Sequence, residues 1–317
     1  PIRQPMKQFA PAVLAIVAGL GIGAPELSAQ RQTVEALPSF KSALDLVTIQ
    51  ASVRDRRGRP IGGLTAADFD VLDNGHQTPV VSLSFDRDAP VSLAVLVDMS
   101  GSMRLGEKVD MARHAFDSVL AQLQEGRDEV AVFTFDSALH ERRGFTTDLR
   151  QAGDALDEFE PFGTTSLYDA AAATARRLSD RSATHKAIVV LTDGLDTTSR
   201  LSAREVSDLA SAIDVPVYVV ATIPSVDQRA LLQSTARATA ASATADLRDL
   251  ADWTGGQFSF ASTTVETLAA VTQVIVELRQ QYVLSIEAGA AAEWRKLDVR
   301  VRRPAALVRA RSGYFGG

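Results

Sequence analysis

The chain contains no cysteine. That absence removes disulfide staples, thiolate metal sites and cysteine nucleophiles together, and leaves oxygen and imidazole as the chemistry-bearing groups. Histidine is scarce as well: His76, His114, His140 and His185 share no spacing that would pair them as metal ligands or as a base beside a nucleophile. No Gly-x-Ser-x-Gly elbow and no phosphate loop occur. Basic charge is not in excess, since 33 Lys and Arg against 39 Asp and Glu give a formal net charge of -6, so nucleic acid has no electrostatic support as a partner. Beyond residue 24 no apolar run approaches the roughly 20 residues that a spanning helix needs, and no lipid-acceptor cysteine follows it. No stable membrane insertion is therefore expected once a leader is removed.

What is present reads from the first residues. Arg3 and Lys7 precede the apolar run Phe9 to Ala24, then Pro25, and Leu27-Ser28-Ala29 supplies small residues for cleavage. This predicts a cleaved export signal over 1–29, with Met6 as a candidate initiator, and hence a secreted or periplasmic protein; a membrane anchor is the alternative, though the run is shorter than the roughly 20 residues a spanning helix needs. Residues 30–43 read as a flexible lead-in. From Val47 apolar residues alternate with polar ones through Val53. Arg57-Gly58-Arg59-Pro60 is a turn, Phe69 and Val71 alternate again, and Asp73-Asn74-Gly75 is a hairpin signal with Val81, Leu83 and Phe85 as the expected return strand.

From residue 91 the pattern changes. Leu93 to Val97, Val130 to Phe135, Ala187 to Leu191 and Val215 to Ala221 are nearly continuous apolar runs, as parallel strands buried on both faces require. Helical periodicity lies between them at about 108–124, 148–159, 166–179 and 202–213, and later at about 244–254 and 265–281; residues 234–245 read as a loop with room for a helical turn. After 281 period two returns, with Tyr282, Leu284 and Ile286, then Leu297, Val299 and Val301. The predicted fold is α/β: a doubly wound, mostly parallel sheet over 90–281, inserted into an antiparallel β-sandwich built from 44–89 and 282–317. A separate β module at each end is the alternative. Arg300, Arg302, Arg303, Arg309 and Arg311 read as a solvated strand face.

Ligands of a doubly wound sheet bind beyond the carboxyl ends of its strands. Three segments fall on that rim: Asp98-Met99-Ser100-Gly101-Ser102, Gly163-Thr164-Thr165-Ser166 and Thr192-Asp193-Gly194. Two carboxylates among several hydroxyls suit a hard divalent cation, Mg²⁺ first and Mn²⁺ or Ca²⁺ next. The spacing leaves Thr164 or Thr165 as the threonine of the set. Asp196 either caps a turn or orients the ligand residues, and Asp169 either is a solvated charge or braces the Thr165 loop. Asp154, Asp157, Glu158 and Glu160 read as a wet helix face.

These residues resemble the metal-ion-dependent adhesion site of the von Willebrand factor A (VWA) family, whose pattern is Asp-x-Ser-x-Ser, a threonine and an aspartate. The resemblance covers about 91–281. It implies Asp98, Ser100, Ser102, Thr165 and Asp193 as the metal set, favours Thr165 over Thr164, and leaves Thr164, Gly101 and Asp196 around it. Thr164 departs mildly, since glycine is usual there. Val53-Arg54-Asp55, Gly63 to Val71 and the ending Arg311-Ser312-Gly313-Tyr314-Phe315 are similar to exported bacterial VWA proteins. What the resemblance implies is a non-enzymatic adhesion or scaffolding module whose metal takes an exposed Asp or Glu of a protein partner. A metal-dependent hydrolase or phosphotransferase is the competing expectation, and a structural sandwich with a vestigial site the third.

Overall fold

The computed structural model describes residues 45–105, 107–156, 160–194, 196–212, 214–223 and 237–317. The expected signal and lead-in, and Asp157 and Glu158 of the acidic cluster, lie outside the described residues.

The N-terminal strands are β1 (Leu46–Arg54), β2 (Phe69–Asp73), β3 (His76–Thr78) and β4 (Ser82–Ser84). Asn74 and Gly75 take positive φ angles of 48° and 82°, the two-residue turn that Asn-Gly favours, so Asp73 pairs directly with His76. The hairpin therefore closes on β3, not on Val81 to Phe85 as the alternation suggested. Pro79, lacking an N–H, ends that pairing, and the chain crosses to the other sheet.

The α/β unit follows as β5 (Val91–Asp98), α1 (Lys108–Leu120), β6 (Glu129–Phe135), β7 (Leu139–Thr146), α2 (Leu149–Gly153), α3 (Leu167–Ser179), β8 (His185–Thr192), α4 (Ala203–Ala212), β9 (Val217–Thr222), α5 (Arg237–Thr254), β10 (Phe258–Ala261) and α6 (Thr264–Leu278). Its six strands run in the order β10-β9-β8-β5-β6-β7, all parallel except β7. All eight residues of β5 are buried. Val91, Leu93, Val95 and Val97 face α1 and α6, while Ala94 and Leu96 face α3, α4 and α5, which is why the strand reads as one apolar run. Each such Val or Leu contributes about 1.5–3 kcal/mol by leaving water. α5 begins at Arg237, inside the stretch expected to be a loop. Alanines such as Ala241, Ala243 and Ala245 carry high helix propensity without marking a face, so periodicity alone overlooked them. Among the described residues no helix is long and apolar enough to cross a membrane.

The last strands are β11 (Tyr282–Glu287), β12 (Trp294–Val301), β13 (Leu307–Arg309) and β14 (Gly313–Phe315). Two four-stranded sheets result, β13-β1-β11-β4 and β14-β12-β2-β3, each pairing a strand from before the α/β unit with one from after it. β1 runs antiparallel to β11 with Ile49 opposite Leu284, and β2 to β12 with Val71 opposite Val299. Their shared core holds Ile49, Val53, Phe69, Val71, Tyr282 and Leu297. Tyr282 stacks on Phe85 at 4.5 Å between centroids, and its hydroxyl donates to the Ile61 carbonyl (3.0 Å) while accepting from Leu64 N–H (3.1 Å).

Sandwich and α/β unit are joined by buried polar contacts. Glu277, near the end of α6, pairs with Arg54 of β1, lies 3.6 Å from Arg309 of β13 and accepts from the Tyr218 hydroxyl of β9 at 3.3 Å. Arg311 is buried, donates to the Ser211 and Thr48 carbonyls and lies 3.4 Å from Asp214. The basic C-terminal edge is thus only partly solvated. Arg300 and Arg302 are exposed beside Asp298 and Asp70, whereas Arg309 reaches Gln257 and Arg311 is buried against the Ser211 carbonyl of α4.

Candidate functional site

β5 leads to β6 and β7 on one side, and the chain then returns to β8 and β9 on the other, so strand order reverses between β5 and β8. The crevice beyond the carboxyl ends of these two strands is where a doubly wound sheet offers a site. Because Val97 pairs with Leu191, Asp98 ends β5 abreast of Thr192, the last residue of β8. The Thr192 hydroxyl donates to Asp98 Oδ2 at 2.6 Å, and Ser100 N–H donates to Asp98 Oδ1 at 2.9 Å. Asp98 is fully buried, and burial, followed by the charge of Asp193, pushes its carboxyl up to about 6. Ser100 is buried and Ser102 half-buried, with their hydroxyls 3.0 Å apart at the start of the short 3₁₀ turn Gly101–Arg104. Met103, fully buried, pins that turn.

The second rim loop docks directly on the first. Gly101 N–H donates to the Gly163 carbonyl (2.9 Å) and Phe162 N–H to the Met99 carbonyl (2.8 Å). A Cβ on Gly101 would meet the Gly163 oxygen at 3.1 Å, and Gly163 has φ of 83°, so both glycines serve this close approach. Thr165 is buried and held at both backbone ends. Its N–H donates to the Thr197 hydroxyl (2.9 Å) and its carbonyl accepts from Thr197 and Thr198 N–H (2.9 and 3.0 Å). Thr164 accepts from the Thr198 hydroxyl at 3.2 Å.

Asp196 has a structural task. Its carboxylate accepts from Leu167 N–H at 2.7 Å and from the Ser199 hydroxyl at 2.6 Å, capping the start of α3 from across the rim. Asp169 braces a neighbouring loop by accepting from Arg200 and Leu201 N–H. Asp154 begins a 3₁₀ turn after α2, and Glu160 is an exposed carboxylate 3.6 Å from Arg104.

Asp193 completes the set. It is buried, its Oδ1 has no hydrogen-bond partner, and its Oδ2 lies 3.1 Å from Nζ of Lys108. Lys108 was not legible as a site residue, because its partner lies 85 positions along the chain. One signal existed: a lysine opening a helix opposes the helix dipole, which favours acidic residues there. Thr197 and Thr198 also escaped the sequence reading, since loop threonines carry no pattern of their own.

The rim therefore gathers Asp98, Ser100, Ser102, Thr165 and Asp193 on three interlocked loops, an all-oxygen donor set. Among the described residues no group of three or more His, Cys, Asp or Glu is placed to hold a metal ion. An ion here would need the hydroxyls beside the two carboxylates. The residues suit such an ion: Asp193 keeps an unsatisfied buried oxygen beside the hydroxyls, and its charge disfavours ionisation of Asp98. Catalytic chemistry finds less support. Ser100 meets Ser102, His140 lies against Asp136 at 3.3 Å, His185 is bonded to the Asp86 carbonyl, and among the described residues no histidine hydrogen-bonds a serine.

Comparison with solved structures returns the BatB protein of Bacteroides thetaiotaomicron (16% identity, 58% of this chain and 97% of that one, TM-score 0.45). It also returns a von Willebrand factor type A protein from Catenulispora acidiphila (12%, 85% and 73%, TM-score 0.49) and proximal thread matrix protein 1 of the mussel byssus (15%, 71% and 50%, TM-score 0.49). A search of curated proteins found no match. The sequence model of the von Willebrand factor type A domain matches residues 93–195, the stretch from within β5 through β8 that contains all five rim residues.

Proposed function

We propose that the chain is an exported protein-binding module. On this reading Asp98, Ser100, Ser102, Thr165 and Asp193 hold a divalent cation, Mg²⁺ first and Mn²⁺ or Ca²⁺ next, and the ion captures an Asp or Glu side chain of a protein partner in adhesion or scaffolding. The observation that carries the reading is the buried, partnerless Asp193 Oδ1 beside Asp98. Buried carboxylate oxygens are ordinarily satisfied, and one left open among hydroxyls at a switch point has the chemistry of a cation ligand. Neutral hydroxyls bind an ion without cancelling its charge, so it keeps attraction for an outside carboxylate. Asp98, engaged by Thr192 and Ser100, orients that set.

The test is thermal unfolding of the full chain with Mg²⁺ and with chelator. If the ion binds only the folded state, a 100-fold excess over its dissociation constant adds about 2.7 kcal/mol, several degrees in Tm, and Asp98→Ala loses the increment. An identical Tm with Mg²⁺ and chelator, in wild type and Asp98→Ala alike, refutes the metal. Mg²⁺-dependent capture of a partner should vanish in Asp193→Ala and after amidation of the partner's carboxylates. Metal-dependent turnover of ester or phosphate substrates, lost in Ser100→Ala, would favour the hydrolase or phosphotransferase instead.

A further inference from the structure

We propose that Lys108 is an internal counter-cation of the metal position, which competes with the divalent ion for Asp193 and thereby sets the ion concentration at which the partner surface becomes active. The inference rests on the metal reading above. Its basis is the place of the ammonium group: Nζ lies 3.1 Å from Asp193 Oδ2 and 3.4 Å from the Ser102 carbonyl oxygen, against two of the five residues assigned to the ion. The side chains of Lys108 and Asp193 retain only 8% and 3% of their exposure, so the pair is screened little by solvent and each charge matters to the other.

Local structure gives no reason for a cation at this point. Lys108 is the first residue of α1, where the helix dipole disfavours positive charge, and the acidic residue suited to that turn is already present as Asp110. Lysine is among the residues least often buried unless paired, and its pair is Asp193. Asp98, fully buried at the end of β5, is the other carboxylate of the crevice. A monovalent ammonium group thus supplies part of the positive charge that this carboxylate pair calls for. A divalent ion held by the open Oδ1 must either move Nζ away from Oδ2 of the same carboxylate or accept its repulsion, and both weaken binding. The loss is tolerable in a site whose ion is to be exchanged or armed by a change in concentration. α1 begins with this lysine, so its first turn senses whichever cation Asp193 holds.

The experiment is titration of the full chain with Mn²⁺ alone, read by calorimetry and by the electron paramagnetic resonance of free Mn²⁺, in wild type, Lys108→Met, Lys108→Gln and Lys108→Arg. Methionine keeps the length of the side chain without its charge, glutamine keeps a hydrogen-bond donor without the charge, and arginine keeps the charge. Lys108→Met and Lys108→Gln should bind Mn²⁺ at least tenfold more tightly than wild type, about 1.4 kcal/mol, with Lys108→Arg near wild type. If methionine prevents folding, judged by circular dichroism, glutamine decides. Affinities equal to wild type in the neutral variants overturn the inference and leave the metal site standing, with Lys108 a mere anchor of α1. Absence of Mn²⁺ binding in wild type and every variant refutes the metal reading itself, and the counter-cation with it.

Discussion

The buried carboxylate of Glu277 joins four strands and helices, and its removal should separate two parts of the molecule that otherwise unfold together. It is 1% exposed near the end of α6, pairs with Arg54 of β1, accepts from Tyr218 of β9 and lies 3.6 Å from Arg309 of β13. Deleting one partner of a buried pair leaves the other charge desolvated and costs about 3–5 kcal/mol, whereas replacing both by apolar side chains is often neutral. The neighbourhood makes the two single losses unequal. Glu277→Met strands Arg54, which is 5% exposed and has that carboxylate as its ionic partner, so the full 3–5 kcal/mol is expected. Arg54→Met leaves Glu277 with Arg309 and Tyr218, so about half that loss follows. Arg54→Met combined with Glu277→Met should be more stable than Glu277→Met alone.

The sequence supplies a direct assay, because one of its two tryptophans, Trp253, lies in α5 and the other, Trp294, in β12 of the sandwich. Trp294→Phe leaves fluorescence that reports the α/β unit, and Trp253→Phe leaves fluorescence that reports the sandwich. In urea the two midpoints should coincide in otherwise native protein and separate in Glu277→Met, with the sandwich first because its core is the smaller. Losses below about 1 kcal/mol in Glu277→Met, or a double variant whose loss equals the sum of the singles, would refute the reasoning.

Burial holds the imidazole of His185 below its ordinary range; the ring donates through Nε2 to the Asp86 carbonyl at 3.2 Å and leaves Nδ1 without a partner. The unfolded chain takes up this proton near pH 6.5 and the folded chain only at lower pH, so stability falls as pH drops below about 6.5, by at most about 1.4 kcal/mol per unit. Urea unfolding between pH 7 and 5 should show this component in wild type and not in His185→Leu; parallel profiles would refute it. Gly256 packs against the β9 backbone so closely that a Cβ would sit 2.1 Å from the Val217 oxygen. Gly256→Ala should cost about 3 kcal/mol or abolish folding, since backbone must move to admit the methyl group; a wild-type melting curve would show the approach to be looser.

The elements that were plain from sequence bury a face in a regular rhythm. β5 and β8 are covered on both sides and read as unbroken apolar runs, while β1, β2 and β11 alternate because one face packs on the sandwich core. Among the strands that escaped are the two edges of the central sheet. β7 reads Leu-His-Glu-Arg-Arg-Gly-Phe-Thr with its residues mostly half-buried, since charged side chains on an edge strand block further pairing and erase the alternation. β10 has four residues and follows two glycines, too little chain to show a period.

The site divides in the same way, by the range over which its contacts are made. Asp98, Ser100 and Ser102 announce themselves because their arrangement is local: one strand end and one turn place all three, and the Asp98 to Ser100 bond spans two residues. Thr165 and Asp193 can be assigned only once strand order is granted, since nothing near them in sequence says that β8 lies beside β5. Lys108 requires more still, because neither its residue type nor its position in α1 names a carboxylate 85 residues away. Yet its charge bears most directly on what the crevice can hold. A local motif specifies which oxygens face a cation, but affinity depends on the sum of charges around them, and that sum is a property of the fold. Two chains with the same Asp-x-Ser-x-Ser, threonine and aspartate can therefore differ in ion affinity through one buried lysine outside the motif, and Mn²⁺ titration of the Lys108 variants measures that difference.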